Sequence, residues 1–409
     1  MNRLKVKHIV VDGNSFKIEV VCEDAWKKFV RGDFWVSYEC NISNVPKSIL
    51  IIPFLCNILP IAWVFNFEIE IDEIDELFYE SIPRIKNGYE AMYPDLDLGG
   101  KIIAHKLIDN DYRTDKVGVL YSGGVDAATT VFRHIEENPD LITVFGSDIK
   151  LNDKDGIERV SDLNRCFAEN HALEYKQLFS NFRSFVNERA LDHHSEIKKH
   201  KYGWWHDFQH GIGLIGLVAP ISYVYGYKTV YIASSFHKSQ QGMYTCASDP
   251  TIDNMLKYGS TNTFHDGYEL TRQDKIHFLC DCVKRYNLRL YLRVCWRSSG
   301  GENCCHCEKC RRTYLAILAE KNDPADFGLN FSESQYKAMA EWYKKHLEYR
   351  FEKSAILRYK PIQDTFFKNY TIRETPSELL WFRDVDICSK KYPFYVSVID
   401  KIRRKMGKE

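Results

Sequence analysis

Two stretches of this chain combine residue types and spacings that could do chemistry. The first is VCWRSSGGENCCHCEKC, residues 294 to 310, which carries five cysteines. Cys295, Cys304, Cys307 and Cys310 are separated by eight, two and two residues, so a tight knuckle can aim the last three at one centre while Cys295 closes the set. Four thiolates with no open position describe a structural zinc site, and Cys305 is left over, facing away. The same C-x2-C-x2-C spacing occurs in iron–sulfur proteins, and a single C-x-x-C occurs in redox pairs, so these two readings stand as alternatives.

The second stretch is VGVLYSGGVDAATT, residues 117 to 130. An apolar strand runs into Ser122, Gly123 and Gly124, and Val125, Asp126 and Ala127 then open a helix. Adjacent glycines let the backbone turn tightly and point successive N–H groups at one spot, and the helix start adds the positive end of its dipole. Such a loop holds an anion. Ser122 offers a hydroxyl to a phosphate oxygen, and Asp126 suits magnesium or the ordering of the loop. The stretch itself contains neither a Gly-Lys-Ser/Thr sequence nor G-x-G-x-x-G, so this loop is neither a Walker loop nor a dinucleotide fingerprint. The bland reading is a glycine turn joining strand to helix.

The elements around these stretches define the expected framework. Residues 1–112 are β-rich: KHIVVDG, FKIEVVCE, FWVSYEC and FNFEIEID alternate or are β-branched, and a helix interrupted by Pro83 follows. No catalytic constellation appears there, so the region reads as an accessory domain. The segment ILIIPFLCNILPIAWVF, residues 49 to 65, is too short and too rich in proline to span a membrane and reads as buried strands or a core segment. From about residue 116, strands alternate with helices, the pattern of a parallel doubly wound α/β sheet. The expected domains are therefore 1–112, 113–322 and 323–409, the last helical and ending in a small basic tail, VIDKIRRKMGKE.

Composition narrows the function classes. Lys and Arg number 56, and Asp and Glu number 56, so no basic surplus points to nucleic acid or to a membrane surface. The N-terminus has no apolar run and cleavage site of a secretory signal, and 13 unevenly scattered cysteines fit a disulfide framework poorly. The expected location is the cytoplasm, where thiols stay reduced.

Ser122, Gly123, Gly124 and Asp126 resemble the SGGxDS loop of the PP-loop ATP pyrophosphatases, the superfamily of asparagine synthetase, GMP synthetase, tRNA-thiolating enzymes and 7-cyano-7-deazaguanine synthase. Ala127 replaces the second serine of that pattern, and Thr129 or Thr130 could compensate for the missing hydroxyl. The C-x8-C-x2-C-x2-C spacing downstream is similar to that of 7-cyano-7-deazaguanine synthase. The likeness covers about residues 116 to 320. It implies a Rossmann-like, HUP-type sheet with helices on both faces. It also implies ATP, Mg2+ and structural Zn2+, with ATP cleaved to AMP and pyrophosphate as a carboxylate is activated for attack by ammonia or an amine. The substrate class includes 7-carboxy-7-deazaguanine. Relatives in anti-phage defence attach a deazaguanine to a protein, a task that the extra terminal regions suit. Phe145 and Asp148 would lie near the adenosine.

Arg272 stands where the synthase has a lysine and would act with Ser122 and Asp126 in catalysis. Ser235 and His237 follow a strand end, and Asp249, Asp266 and His210 complete the expected substrate contacts. His206 and His210 read as polar lining of the cleft, and Trp204 and Trp205 as core in preference to base-stacking residues. The expected partners are a small-molecule, protein or peptide acceptor and a second copy of the chain in a homodimer. A thiolating or amidating enzyme acting on tRNA, a peptide or a sugar is the second reading. The third is a non-catalytic ATP-sensing module, motivated by Ala127.

Overall fold

In a computed structural model, residues 2–112, 114–200, 202–295, 299–349, 353–376, 379–385 and 387 are described. The chain divides into two compact units, Met1–Leu270 with Ser299–Gly301, and Thr271–Ser298 with Glu302–Glu409.

The first unit begins with strands β1 (Arg3–Asp12), β2 (Ser15–Cys22) and β3 (Phe34–Tyr38). Helix α1 (Ile52–Phe65) follows, then β4 (Glu68–Asp75), α2 (Glu76–Met92) and β5 (Lys101–Ile108). Next come β6 (Lys116–Leu120), α3 (Val125–Arg133), β7 (Asp140–Phe145), α4 (Lys154–Asn170) and β8 (Tyr175–Ser180). Helices α5 (His210–Gly216) and α6 (Ala219–Tyr225) lead to β9 (Tyr227–Ala233), β10 (Lys257–Tyr258) and β11 (Thr261–Asp266).

All eleven strands form one mixed sheet in the order β10-β11-β9-β6-β7-β8-β3-β2-β1-β4-β5. The five strands β11-β9-β6-β7-β8 are mutually parallel. Their order reverses direction at β6, because the chain moves outward through β7 and β8 and then returns to the other side of β6 for β9. Ligands of open α/β sheets gather in the crevice at the carboxyl ends of the strands flanking such a reversal.

The sheet departs from the expected architecture in one respect. It is not confined to parallel strands, because β3 pairs antiparallel with β8 through Val36↔Ser180 and Tyr38↔Leu178. That pairing carries the sheet into the antiparallel run β3-β2-β1 and then into parallel β1-β4-β5. The boundary expected at residue 112 therefore falls inside the first unit, and the one expected at 322 falls inside the second. Backbone hydrogen bonding across β3 and β8, which no local pattern announces, joins residues on both sides of 112 in one sheet.

Residues 49 to 65 are helical, not stranded. Helix α1 is apolar on every side and buries twelve residues from Ile52 to Trp63, as expected of a helix enclosed by its own unit. Pro60 lies inside it and Pro83 inside α2. The α1 face packs against α5, where Gly213 and Gly216 leave room for Asn57 and Cys56; a methyl on Gly216 would come within 2.4 Å of the Cys56 Cβ. No helix among the described residues is long and apolar enough to cross a membrane.

The second unit holds α7 (Arg272–Tyr286), α8 (Glu308–Ala319), α9 (Glu333–Tyr349) and α10 (Lys353–Asn369). The basic tail from residue 398 onward lies outside the described residues.

Candidate functional site

The loop after β6 is held from below before it turns. The Tyr121 N–H donates to the Ile142 carbonyl at 2.8 Å, and the Tyr121 carbonyl accepts from the Thr143 hydroxyl at 2.7 Å. Asn164 of α4 donates in turn to Thr143 at 3.0 Å. Ser122 is exposed, Gly123 adopts φ +75°, and Gly124 is extended (φ −84°, ψ 170°) as the N-cap of α3. The left-handed turn at Gly123 is open to glycine at little cost, whereas a side chain would be strained there. Gly124, as the N-cap, has no side chain with which to cap the first turn. Asp126 is half-buried in the same turn.

Two expectations about this loop change. Thr129 and Thr130 are both buried and donate inward, Thr129 to the Val125 carbonyl at 2.9 Å and Thr130 to Asp266 Oδ2 at 2.9 Å. Their helical phase turns them to the core, so neither hydroxyl replaces the serine absent at Ala127. Phe145, expected beside adenosine, is fully buried and stacks on Phe179 with centroids 5.1 Å apart. Asp148 is exposed in the turn after β7, beyond Gly146.

The acidic candidates make contacts within the protein. Asp266, expected to contact substrate, is 1% exposed and ties the end of β11 to α3. It accepts from Thr130, from Arg133 Nε at 3.2 Å and from His134 Nε2 at 3.2 Å. Burial opposes its ionisation, but the bonds from His134 and Thr130 and the Arg133 charge outweigh burial and hold it below the usual carboxylate range. His134 is also opposed by burial, yet Asp266 and Glu137 raise it above an ordinary histidine. Asp249 caps the short helix Pro250–Asp253, accepting the Thr251 amide at 2.9 Å and its hydroxyl at 2.6 Å. Both carboxylates belong to the first unit, while Arg272 is the first residue of α7 in the second, behind a Thr271–Asp274 capping box.

The loop following β9 carries the remaining candidates. Ser235 is exposed, and His237 is committed locally, its Nδ1 lying 2.7 Å from the Ser239 hydroxyl. His210 is half-buried with Nδ1 3.8 Å from the Cys246 thiol. Trp204 is fully buried, stacked on Phe208 and bonded through Nε1 to Gln209 Oε1 at 3.1 Å, so it is core as read. Trp205 packs edge-on against Phe182 and His210, with the Arg183 guanidinium 4.2 Å above its ring.

Sequence reasoning missed how residues 205 to 209 are wound. Trp205–Gln209 is a π-helical turn entering α5, a wider winding that frees backbone carbonyls and recurs at functional sites. The freed carbonyls of Asp207 and Phe208 accept from the hydroxyls of Tyr93 and Tyr89, the first just beyond α2 and the second within it. The fully buried Asp207 carboxylate accepts the Thr245 hydroxyl at 2.7 Å and the Tyr202 amide at 3.1 Å. The loop 244–247 is pinned on the other side, the Ala247 N–H donating to the His206 carbonyl at 2.9 Å. Around this turn, half-buried Tyr202, His206, Phe236 and Tyr244 pack ring against ring. The only sequence signal was the local density of aromatic residues.

The four expected metal ligands do come together. Within the second unit, the sulfurs of Cys295, Cys304, Cys307 and Cys310 lie within 4.8 Å of one another, and the cluster is largely buried. The closest pairs are 3.5 Å (Cys307–Cys310) and 3.9 Å (Cys304–Cys310 and Cys295–Cys307). Four sulfurs at ~2.3 Å from one tetrahedral ion lie ~3.8 Å apart, so the cluster could hold a structural metal such as zinc. Cys305 takes φ +53° and aims its thiol at the Asn330 carbonyl, outside the cluster. That turn lets the Cys307 amide approach the Cys304 sulfur at 3.3 Å. Contact with Cys310 holds Cys307 below the usual thiol range and Cys310 above it. Cys307 is also the N-cap of α8, whose dipole favours a thiolate. The glycine pair Gly300 and Gly301 lies between the first and second of these cysteines in sequence. Within the first unit, the Gly300 N–H donates to Asp153 Oδ2 at 3.0 Å, beside the Gly156 amide that the same carboxylate caps.

Comparison with known proteins finds no matching family, no matching curated protein and no matching solved structure.

Proposed function

We propose that the chain is an ATP-dependent adenylating enzyme, forming AMP and pyrophosphate as it activates a carboxylate for attack by ammonia or an amine. The observation that carries this reading is the Ser122–Asp126 loop: a left-handed glycine and a helix whose N-cap is glycine, at the carboxyl end of the strand where the parallel sheet reverses. In this reading Ser122 and the first-turn amides bind the phosphates, and Asp126 would hold Mg2+. The donors preorganised there take up charge that develops on the leaving pyrophosphate. Zn2+ in the four-cysteine cluster is structural, since four thiolates leave no open coordination position. The proposed acceptor is 7-carboxy-7-deazaguanine, conjugated to a nitrogen of a small molecule, peptide or protein.

The test combines the full chain with ATP, Mg2+, 7-carboxy-7-deazaguanine and ammonium or an amine. AMP and pyrophosphate are expected in equal amounts, and Gly123→Ala should suppress both. ATP binding without AMP formation across a panel of carboxylates would sink the proposal. It would favour an ATP-sensing module, the reading supported by the inward commitment of Thr129 and Thr130 beside Ala127.

A further inference from the structure

Tyr121 lies one residue past the end of β6, and Ser122 to Gly124 follow it. The ladder between β6 and β7 runs to Leu120↔Ile142, and the Tyr121 N–H extends it by one bond to the Ile142 carbonyl at 2.8 Å. The Tyr121 carbonyl is then taken by a side chain, the Thr143 hydroxyl, at 2.7 Å. Asn164 of α4 stands behind Thr143, its Nδ2 lying 3.0 Å from Oγ1. All three residues are buried, Tyr121 at 2% exposure and Thr143 and Asn164 at 4% each. The same helix holds Tyr121 a second time. Phe167, on the same face of α4 as Asn164, stacks on the Tyr121 ring with centroids 5.1 Å apart at 20°.

Chemistry fixes the direction of both hydrogen bonds. A carbonyl cannot donate, so the single Thr143 proton points at Tyr121 and the Thr143 oxygen is left to accept. Asn164 supplies the amide N–H that this arrangement requires. Hydroxyl and amide groups held away from water cost free energy unless they are bonded, and apolar residues of the same shape at 143 and 164 would fill the space without that cost. What the polar pair adds is a fixed direction for one backbone carbonyl.

That direction matters for the next residue. The peptide between Tyr121 and Ser122 is planar and trans, so its N–H points opposite to its carbonyl. With the carbonyl held by Thr143 of β7, the Ser122 N–H is turned away from β7. Gly123 follows at φ +75°, and a glycine backbone resists rotation little. The loop therefore takes its entry angle from Tyr121, and its freedom begins just beyond. Amides cradle a phosphate only when successive N–H groups converge on it.

We propose that Thr143 and Asn164 are positioning residues of the Ser122–Gly124 loop: through the Tyr121 carbonyl they set the plane of the Tyr121–Ser122 peptide, and with it the aim of the loop at a triphosphate. The inference deepens the adenylation reading and rests on its phosphate-binding step. Binding of ATP with Mg2+ to the full chain is measured by isothermal titration calorimetry, and each variant is also given a urea midpoint. Thr143→Val keeps the shape, removes the hydroxyl and weakens ATP binding roughly tenfold. Thr143→Ser keeps the hydroxyl and binds ATP close to the wild-type value. Asn164→Leu weakens binding less, and the double variant binds no worse than Thr143→Val, because Asn164 acts only through Thr143. A role in stability alone would lower the urea midpoint and leave the affinity of the folded variants unchanged.

Three outcomes overturn the proposal: wild-type ATP affinity in folded Thr143→Val, equal losses in Thr143→Ser and Thr143→Val, or no ATP binding by the wild type. If Thr143→Val does not fold, Asn164→Leu reads the same pair of bonds, and wild-type affinity in that variant overturns the proposal. Failure of adenylation shows differently, as ATP bound by the wild type without AMP formation. The order of the variants in ATP affinity then still supports the positioning role.

Discussion

The Tyr89 hydroxyl donates to the Phe208 carbonyl at 2.7 Å, joining residues 119 positions apart. Tyr93 does the same for the Asp207 carbonyl, so two tyrosines at the end of α2 satisfy the groups that the π-turn releases. Both rings are buried, and burial pushes both phenols far above their usual range, which keeps them neutral donors. The N-terminal residues thus shape the turn that sets His206 and Asp207.

Removing either hydroxyl leaves a buried carbonyl without its partner. Tyr89→Phe and Tyr93→Phe should each cost about 1–3 kcal/mol, read as a lowered urea midpoint with an unchanged slope.

The Asp266–His134 pair predicts a pH signature. Asp266 is held below its unfolded value near 3.9, so its contribution is present above that pH and is lost as acid carries the pH through the depressed value. His134 is raised above its unfolded value near 6.5, so its contribution is full below pH ~6.5 and is lost as the pH rises through the raised value. Stability from this network should be greatest between about pH 4 and 6.5. Asp266→Asn should flatten the decline on the alkaline side, as chemical denaturation at stepped pH would reveal.

Gly146 follows β7 with φ +97°, and a methyl there would lie 2.0 Å from the Ser180 carbonyl oxygen. Backbone, not a flexible side chain, is in the way. Gly146→Ala should destabilise the first unit by roughly 3 kcal/mol, through strain and overpacking together, and lower the thermal midpoint by several degrees.

Elemental analysis should find about one zinc per chain, lost in Cys307→Ser and in Cys310→Ser and retained in Cys305→Ser. A chelator should lower the thermal midpoint of the wild type and leave Cys307→Ser unmoved. Iron with a brown chromophore would replace zinc by a cluster.

The metal ligands and the glycine loop were legible because each is a local device. A C-x2-C-x2-C knuckle and a strand–Gly-Gly–helix turn bring their groups together within a few residues, so spacing nearly specifies geometry. Helical phase was harder to read: Thr129 and Thr130 were near enough to the loop to seem useful, but their position on α3 points them into the unit. The contacts of Asp249 and Asp266 were hidden for a related reason. A carboxylate in a loop looks the same in sequence whether it caps a helix, ties a strand or awaits a substrate, and only its neighbours decide.

By itself the sequence determined the alternation of strand and helix after residue 116, the glycine turn between β6 and α3 and the four converging thiols, because these rest on periodicity and short spacing. Tertiary structure alone decided that β3 joins β8, that the apolar run 49–65 is an enclosed helix, and that Tyr89 and Tyr93 cap a π-turn. Those outcomes depend on pairing and burial between residues more than a hundred positions apart, or on which side of an element a neighbour covers. No local pattern encodes them.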